Sequence, residues 1–194
     1  MIMACNATSS KRFSCEHQKV TPSRAIAVGD SYSDPIRVAA MLINTEPWDE
    51  VIIVGDRDGP LYDHLRVVKT PSELPRIESF DPKKRTLVIF DECGGLQGRD
   101  LMIMEDFFIR SRLRGVFTLS VECVLDYVPG MVRKYTDALY LTTSPKEWEK
   151  IRRLVNCART PVVDCVAGAR PKSWFKIDLR NNETEVIDAS KYYP

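Results

Sequence analysis

"RAIAVGDSYSDPIRVAAMLI", residues 24–43, passes from a short apolar run through a loop opened by Gly29 into a segment with helical spacing. Val38, Met41 and Leu42 recur at i, i+3 and i+4, as a helix packed on a sheet requires. Strand, glycine-opened loop and helix are the surroundings in which backbone N–H groups and a helix N-terminus hold phosphate. The phosphate-binding pattern G-x-x-x-x-G-K-[ST] supplies a test. With Gly29 in its first position, Asp34, Pro35 and Ile36 stand where the second glycine, the lysine and the magnesium-binding hydroxyl belong. Asp34 adds a β-carbon and a negative charge where backbone must curl around phosphate. Pro35 brings neither an amide donor nor a cation, and Ile36 has no oxygen. The same residues make a good helix start, with Asp34 as N-cap and Pro35 at the first helical position. A capped helix after a strand accounts for the local chemistry as well as a degenerate phosphate site does.

Further along, the chain alternates in the same way. Apolar, β-branched runs occur at residues 25–28, 51–54, 87–90, 116–121 and 138–141, with helical segments between several of them. Runs apolar on both faces belong to a largely parallel sheet covered on both sides by helices. The segment 101–112 is expected to form a helix with a wide buried face of Met102, Ile103, Met104, Phe107, Phe108 and Ile109. Residues 144–158 carry a capped amphipathic pattern, and "SWFKIDL" and "ETEVIDA" across "RNNE" predict a C-terminal hairpin.

"TLVIFDECGG", residues 86–95, ends four apolar residues in Asp91 and Glu92. Two carboxylates then sit at the carboxyl end of a buried strand, where open α/β sheets gather ligands. In a working nucleotide site the first acid holds magnesium and the second polarises the attacking water. An acidic pair and two glycines that merely end a strand are the plain alternative.

The order of motifs carries more than any one of them. Residues 105–143 read as helix, arginine cluster, strand, proline-started helix and strand. This order resembles the packaging ATPases of large DNA viruses, the poxvirus-type branch of the FtsK and HerA superfamily. Residues 111–113, 117–122, 128–133 and 136–139 carry the likeness. The resemblance implies a P-loop NTPase-like (RecA/FtsK-like) α/β fold with a mostly parallel sheet. It implies that Asp91 and Glu92 are the magnesium and water-polarising acids, and that Glu122 replaces the strand-end glutamine that meets the γ-phosphate. Arg112 takes the place of the arginine finger, which would reach into a neighbouring subunit. With Gly29 followed by Asp34, Pro35 and Ile36, it implies a degenerate member. No bound cofactor is expected, and ATP with magnesium belongs to the alternative, an active ATPase with an unconventional loop. Asp91, Glu92 and Glu122 are expected to crowd together and repel unless one is protonated or paired. Acids binding a divalent cation alone, for a nuclease-like reaction, are a weaker reading.

Arg110, Arg112 and Arg114, with Arg133 and Lys134, form a candidate surface for nucleic acid or for assembly. Solvated charge at a helix end is the plain alternative. The expected partners are further copies of the chain or a larger viral assembly, with DNA as the competing choice and no membrane.

Bulk properties permit this reading. A chain of 194 residues, 44% hydrophobic and 28% charged, can bury one good core, and residues 23–194 are expected to be one domain behind a flexible arm, 1–22. The formal charge of +1 argues against a globally basic nucleic-acid binder. Six scattered cysteines without paired spacing predict free thiols in a reducing, intracellular setting, host cytoplasm or virion, rather than secretion. Cys5, Cys15 and His17 are too irregularly spaced to read as a metal site, and none is assigned. No apolar run approaches the roughly 20 residues that span a bilayer.

Overall fold

The computed structural model describes residues 23–29, 33–56, 65–141, 173–181 and 183–188. The expected arm 1–22 and the helix expected over 144–158 lie outside them. The chain order is β1 (Arg24–Val28), α1 (Ser33–Thr45), β2 (Glu50–Val54), β3 (Arg66–Val68), β4 (Thr86–Asp91), α2 (Gly98–Arg110), β5 (Val116–Glu122), α3 (Gly130–Tyr135), β6 (Ala138–Leu141), β7 (Ser173–Asp178) and β8 (Glu183–Asp188). All eight strands join one sheet in the order β3-β2-β4-β5-β1-β6-β7-β8. Strands β1 to β6 are parallel, and β7 and β8 extend the sheet antiparallel. The hairpin turn between them is held by Asp178, whose Oδ1 accepts the backbone N–H groups of Arg180 and Asn181.

Alternation along each strand explains the two cores. Ala25, Ala27, Leu87, Ile89, Leu119 and Val121 face α1, while Ile26, Val28, Val88 and Phe90 face the side that holds α2 and α3. Both faces are sealed, as a parallel sheet needs. Strand β5 departs from this on one side, where its α2-facing residues Thr118, Ser120 and Glu122 are polar and buried.

Two expectations need correction. Helix α1 begins at Ser33, so Asp34 and Pro35 occupy its second and third positions rather than the cap and the first. Proline is tolerated throughout that turn because the first amides of a helix have no internal acceptor. The second helix runs from Gly98 to Arg110, and its buried face is narrow: Met104, Phe107 and Phe108 are buried, but Met102 is 69% exposed and Ile109 37%. A helix lying on one sheet has only one side to bury. Strand β3 was not anticipated, because its three residues, two exposed and one buried, carry no periodic signal.

At its end α2 tightens into a 3-10 turn, Ser111–Arg114, closed by Gly115 at φ 64°. A β-carbon at Gly115 would lie 2.8 Å from the Lys84 carbonyl oxygen and 2.9 Å from that of Pro82. The turn "SRLRG" and the loop "DPKK" are therefore packed against each other at the amino edge of the sheet.

Candidate functional site

Helix α1 follows β1 onto one face of the sheet, and α3 follows β5 onto the other. These strands are neighbours, with Val28 opposite Glu122. Divergence of adjacent connections marks this carboxyl edge as the crevice position of open α/β sheets, the place where such sheets bind ligands. Gly29, buried, stands on one side and Glu122 on the other. Asp91 ends β4 one strand further on, opposite Val121. The loop after β2 presses on it, since a β-carbon at Gly55 would come within 3.2 Å of the Asp91 Cβ.

The expected acids do assemble here, in two different states. Asp91 and Glu122 are buried, at 4% and 3% exposure. Glu92 is exposed, and its backbone is left-handed at φ 51°, uncommon for a residue with a β-carbon. Its N–H donates to the Val121 carbonyl at 2.9 Å, and the Cys123 thiol lies 3.2 Å from its Oε1. The kink leads into a tight turn, Cys93–Gly95, in which Gly94 admits no side chain: a β-carbon would stand 2.6 Å from the Tyr127 carbonyl oxygen. Among the described residues, no group of His, Cys, Asp and Glu is arranged to hold a metal ion.

Glu122 is the unusual member. Burial pushes its carboxyl up to about 7; the backbone amides of Gly94 and Cys93 pull it down, and the charge of Asp91 adds to the rise. Among the described residues its Oε1 has no hydrogen-bond partner. Of the three expected acids, Asp91 is the one whose charge acts on Glu122, and with burial it favours the protonated form of that carboxyl. Cys93, beside it, is pushed up to about 12, by burial first and then by Glu122 and Asp91, so it is an inert thiol.

The five expected cations divide. Arg110 is held by Glu78 and by Asp106 one helical turn earlier, which makes it a structural residue. Arg112 is exposed and Arg114 half-exposed, at the amino end of β5 and so on the order of 20 Å from Glu122. Arg133 donates to the Leu125 carbonyl at 3.3 Å, and Lys134 lies over the Tyr135 ring at 5.6 Å. Arg133 and Lys134 line a cleft of about 450 Å³ with Ile26, Leu125 and Leu139.

Two features escaped the sequence reading. Lys83 and Lys84, exposed beside the arginine turn, were signalled only by the short run "KKR". At the amino edge Arg24 clasps the buried Asp137 through two nitrogens, at 2.9 and 3.0 Å, while Ser23 adds a hydrogen bond at 2.9 Å. A third nitrogen of Arg24 donates to the Phe108 carbonyl. A charged residue opening an apolar strand was the available clue.

No protein-family model matches the chain, and no curated protein sequence does. Solved structures do. The genome packaging NTPase B204 from Sulfolobus turreted icosahedral virus 2, in complex with AMPPCP, superposes with a TM-score of 0.59 at 14% identity, over 84% of this chain and 96% of that one. The DNA-packaging ATPase B204 from Sulfolobus turreted icosahedral virus gives 0.55 at 12% identity, over 85% and 97%. ATPases 2 and 3 of EssC from Geobacillus thermodenitrificans give 0.55 at 11% identity, over 84% of this chain and 39% of that one. At such identities the likeness speaks for architecture alone: the chain shares the α/β fold of these genome-packaging NTPases and of the EssC ATPase domains.

Proposed function

We propose that this protein is a non-catalytic relative of the packaging ATPases that serves as an assembly component in the life cycle of a DNA virus. The carrying observation is Pro35, buried in the first turn of α1, at the position that the G-x-x-x-x-G-K-[ST] pattern counted from Gly29 gives to the lysine. Proline supplies neither the ammonium that meets the β- and γ-phosphates nor an amide donor. Ile36, which packs against the α1-side core, has no oxygen for magnesium. On the neighbouring strand, Glu122 places a buried carboxyl at the same edge, where a charged form would repel a polyphosphate. The side chains present do not fit ATP with magnesium, and no reaction step is derived through them.

The competing reading is an active ATPase with an unconventional loop. Asp91 and Glu92, kept at the end of β4 in the metal and water-polarising places, favour it. One assay separates the two. ATP hydrolysis and thermal shift are measured on the purified chain with ATP and magnesium. No turnover and no shift are expected, whereas turnover abolished by Glu92→Gln would establish the active enzyme. On this reading, self-association or entry into a larger assembly is the function left to the fold.

A further inference from the structure

At the amino edge, opposite the crevice, the turn Ser111–Arg114 and the loop carrying Lys83 and Lys84 meet across Gly115. Four cations gather there: Lys83, Lys84, Arg112 and Arg114. None of them has an ion pair among the described residues. The nearby acids are already engaged. Glu78 and Asp106 are both taken by Arg110, and Asp81 turns its Oδ1 onto the backbone N–H of Lys83. Amid these charges Leu113 is 79% exposed, and Ile109, one turn back on α2, is 37% exposed, with Met102 two turns further along the same stripe at 69%.

We propose that this surface docks an acidic protein segment that carries an apolar anchor, with Leu113 receiving the anchor and Lys83, Lys84, Arg112 and Arg114 pairing with the carboxylates around it. Uncompensated cations alone fit any polyanion. The leucine decides between polyanions. A sugar-phosphate backbone gains nothing from a bare aliphatic side chain, while an apolar side chain from a protein removes both from water. The chain's net charge of +1 gives no general attraction for nucleic acid, so recognition must come from this local arrangement. The choice of a protein partner rests on the assembly reading above, though the surface itself stands apart from the crevice.

The test uses the full chain and three fluorescein-labelled probes in anisotropy titrations: a peptide of alternating glutamate and leucine, a poly-glutamate peptide of equal charge, and a duplex DNA of 20 base pairs. The glutamate-leucine peptide is expected to bind at least about tenfold more tightly than poly-glutamate, the value of burying one leucine. Leu113→Ser should erase that difference and leave the salt dependence in place. The joint variant Lys83→Gln, Lys84→Gln, Arg112→Gln, Arg114→Gln, checked for fold by circular dichroism, should lose binding altogether. Because Leu113→Ser changes one exposed residue, the test survives even if the joint variant misfolds. Tighter binding of DNA than of the mixed peptide, equal binding by Leu113→Ser, or no binding of any probe each overturns the proposal. Hydrolysis of ATP by the same samples would overturn the non-catalytic reading and leave the docking result untouched, so the two failures are distinguishable.

Discussion

Two buried carboxylates stand at opposite ends of this sheet and have opposite fates. At the amino edge Asp137 is 3% exposed, and burial alone would raise its carboxyl; hydrogen bonds from Arg24 and Ser23, with the charge of Arg24, outweigh that and hold it below its ordinary value. At the carboxyl edge Glu122 is equally buried, no ion pair reaches it among the described residues, and it is pushed up to about 7. Burial is common to both, so the partner makes the difference. A paired acid welds β1 to β6 and to the end of α2, whereas burial without a cation among the described residues raises the carboxyl and favours its protonated form. The first arrangement stabilises a scaffold. The second stands at the carboxyl edge, where open α/β sheets bind ligands.

Breaking the weld should give the largest effect. Arg24→Met removes the cation and leaves Asp137 buried without it, a change that typically costs 3–5 kcal/mol. We expect a loss of about 3 kcal/mol in urea unfolding at neutral pH, because one side of the pair borders solvent, with side-chain exposures of 12% and 4%. The pair's contribution is complete above the ordinary aspartate value of 3.8 and is lost as pH falls through the lowered value in the fold. The variant should therefore show a flatter acid limb than the parent. An unchanged unfolding midpoint would show that Asp137 finds another donor.

The unpaired acid should behave in the reverse sense. From its ordinary 4.5 upward, Glu122 ionises in the unfolded chain while the fold keeps it protonated to about 7. Stability should fall as pH rises across that window and stay lower above it. Glu122→Gln keeps the shape without the charge, so it should be more stable than the parent at pH 8 by on the order of 3 kcal/mol, and equal to it near pH 4.5. Urea midpoints across the range test this. Parallel curves for the two proteins would mean that Glu122 is not the group that takes up the proton.

How much of this contrast the chain announces depends on distance. The five apolar runs were legible as strands because a parallel sheet needs side chains apolar on both faces, and β4 and β5 meet that need locally. Asp91, Glu92 and Glu122 were legible as a group because each stands where a buried run stops. Pairing was not legible. Arg24 and Asp137 are separated by 113 positions, and only the parallel register of β1 with β6 brings them together. Likewise nothing in "SVEC" says whether a cation will fold against Glu122. The start of α1 was missed by little, since serine, aspartate and proline all suit a first turn. The over-wide face of α2 had a different cause: Met102 and Ile109 look buried by hydrophobicity, and only the single-sided packing of the helix leaves them outside.

The smallest expected effect sharpens what the carboxyl edge retains. Glu92 adopts the left-handed conformation at φ 51°, where a β-carbon approaches the following carbonyl oxygen and the strain is roughly 1–2 kcal/mol. The turn that follows is forced, because Gly94 lies against Tyr127 and Glu92 must lead the chain into it. If that strain is held by the fold, glycine should relieve it. The fair comparison is Glu92→Gly against Glu92→Ala, since both lose the contact with Cys123 and only alanine keeps the β-carbon. Glycine also gains freedom in the unfolded chain, which offsets part of the relief, so we expect the glycine variant to be the more stable by about 0.5 kcal/mol. Thermal unfolding of the two side by side measures it. Alanine equal to or better than glycine would mean that the backbone rearranges when the side chain goes, and that the Glu92 contact rather than the turn sets its conformation. A clear advantage for glycine would mean that a glutamate is kept at a place where the fold favours none. This is the pattern expected where a side chain was selected for chemistry rather than for packing, and its contrast with the fully paired Asp137 would then be functional in origin.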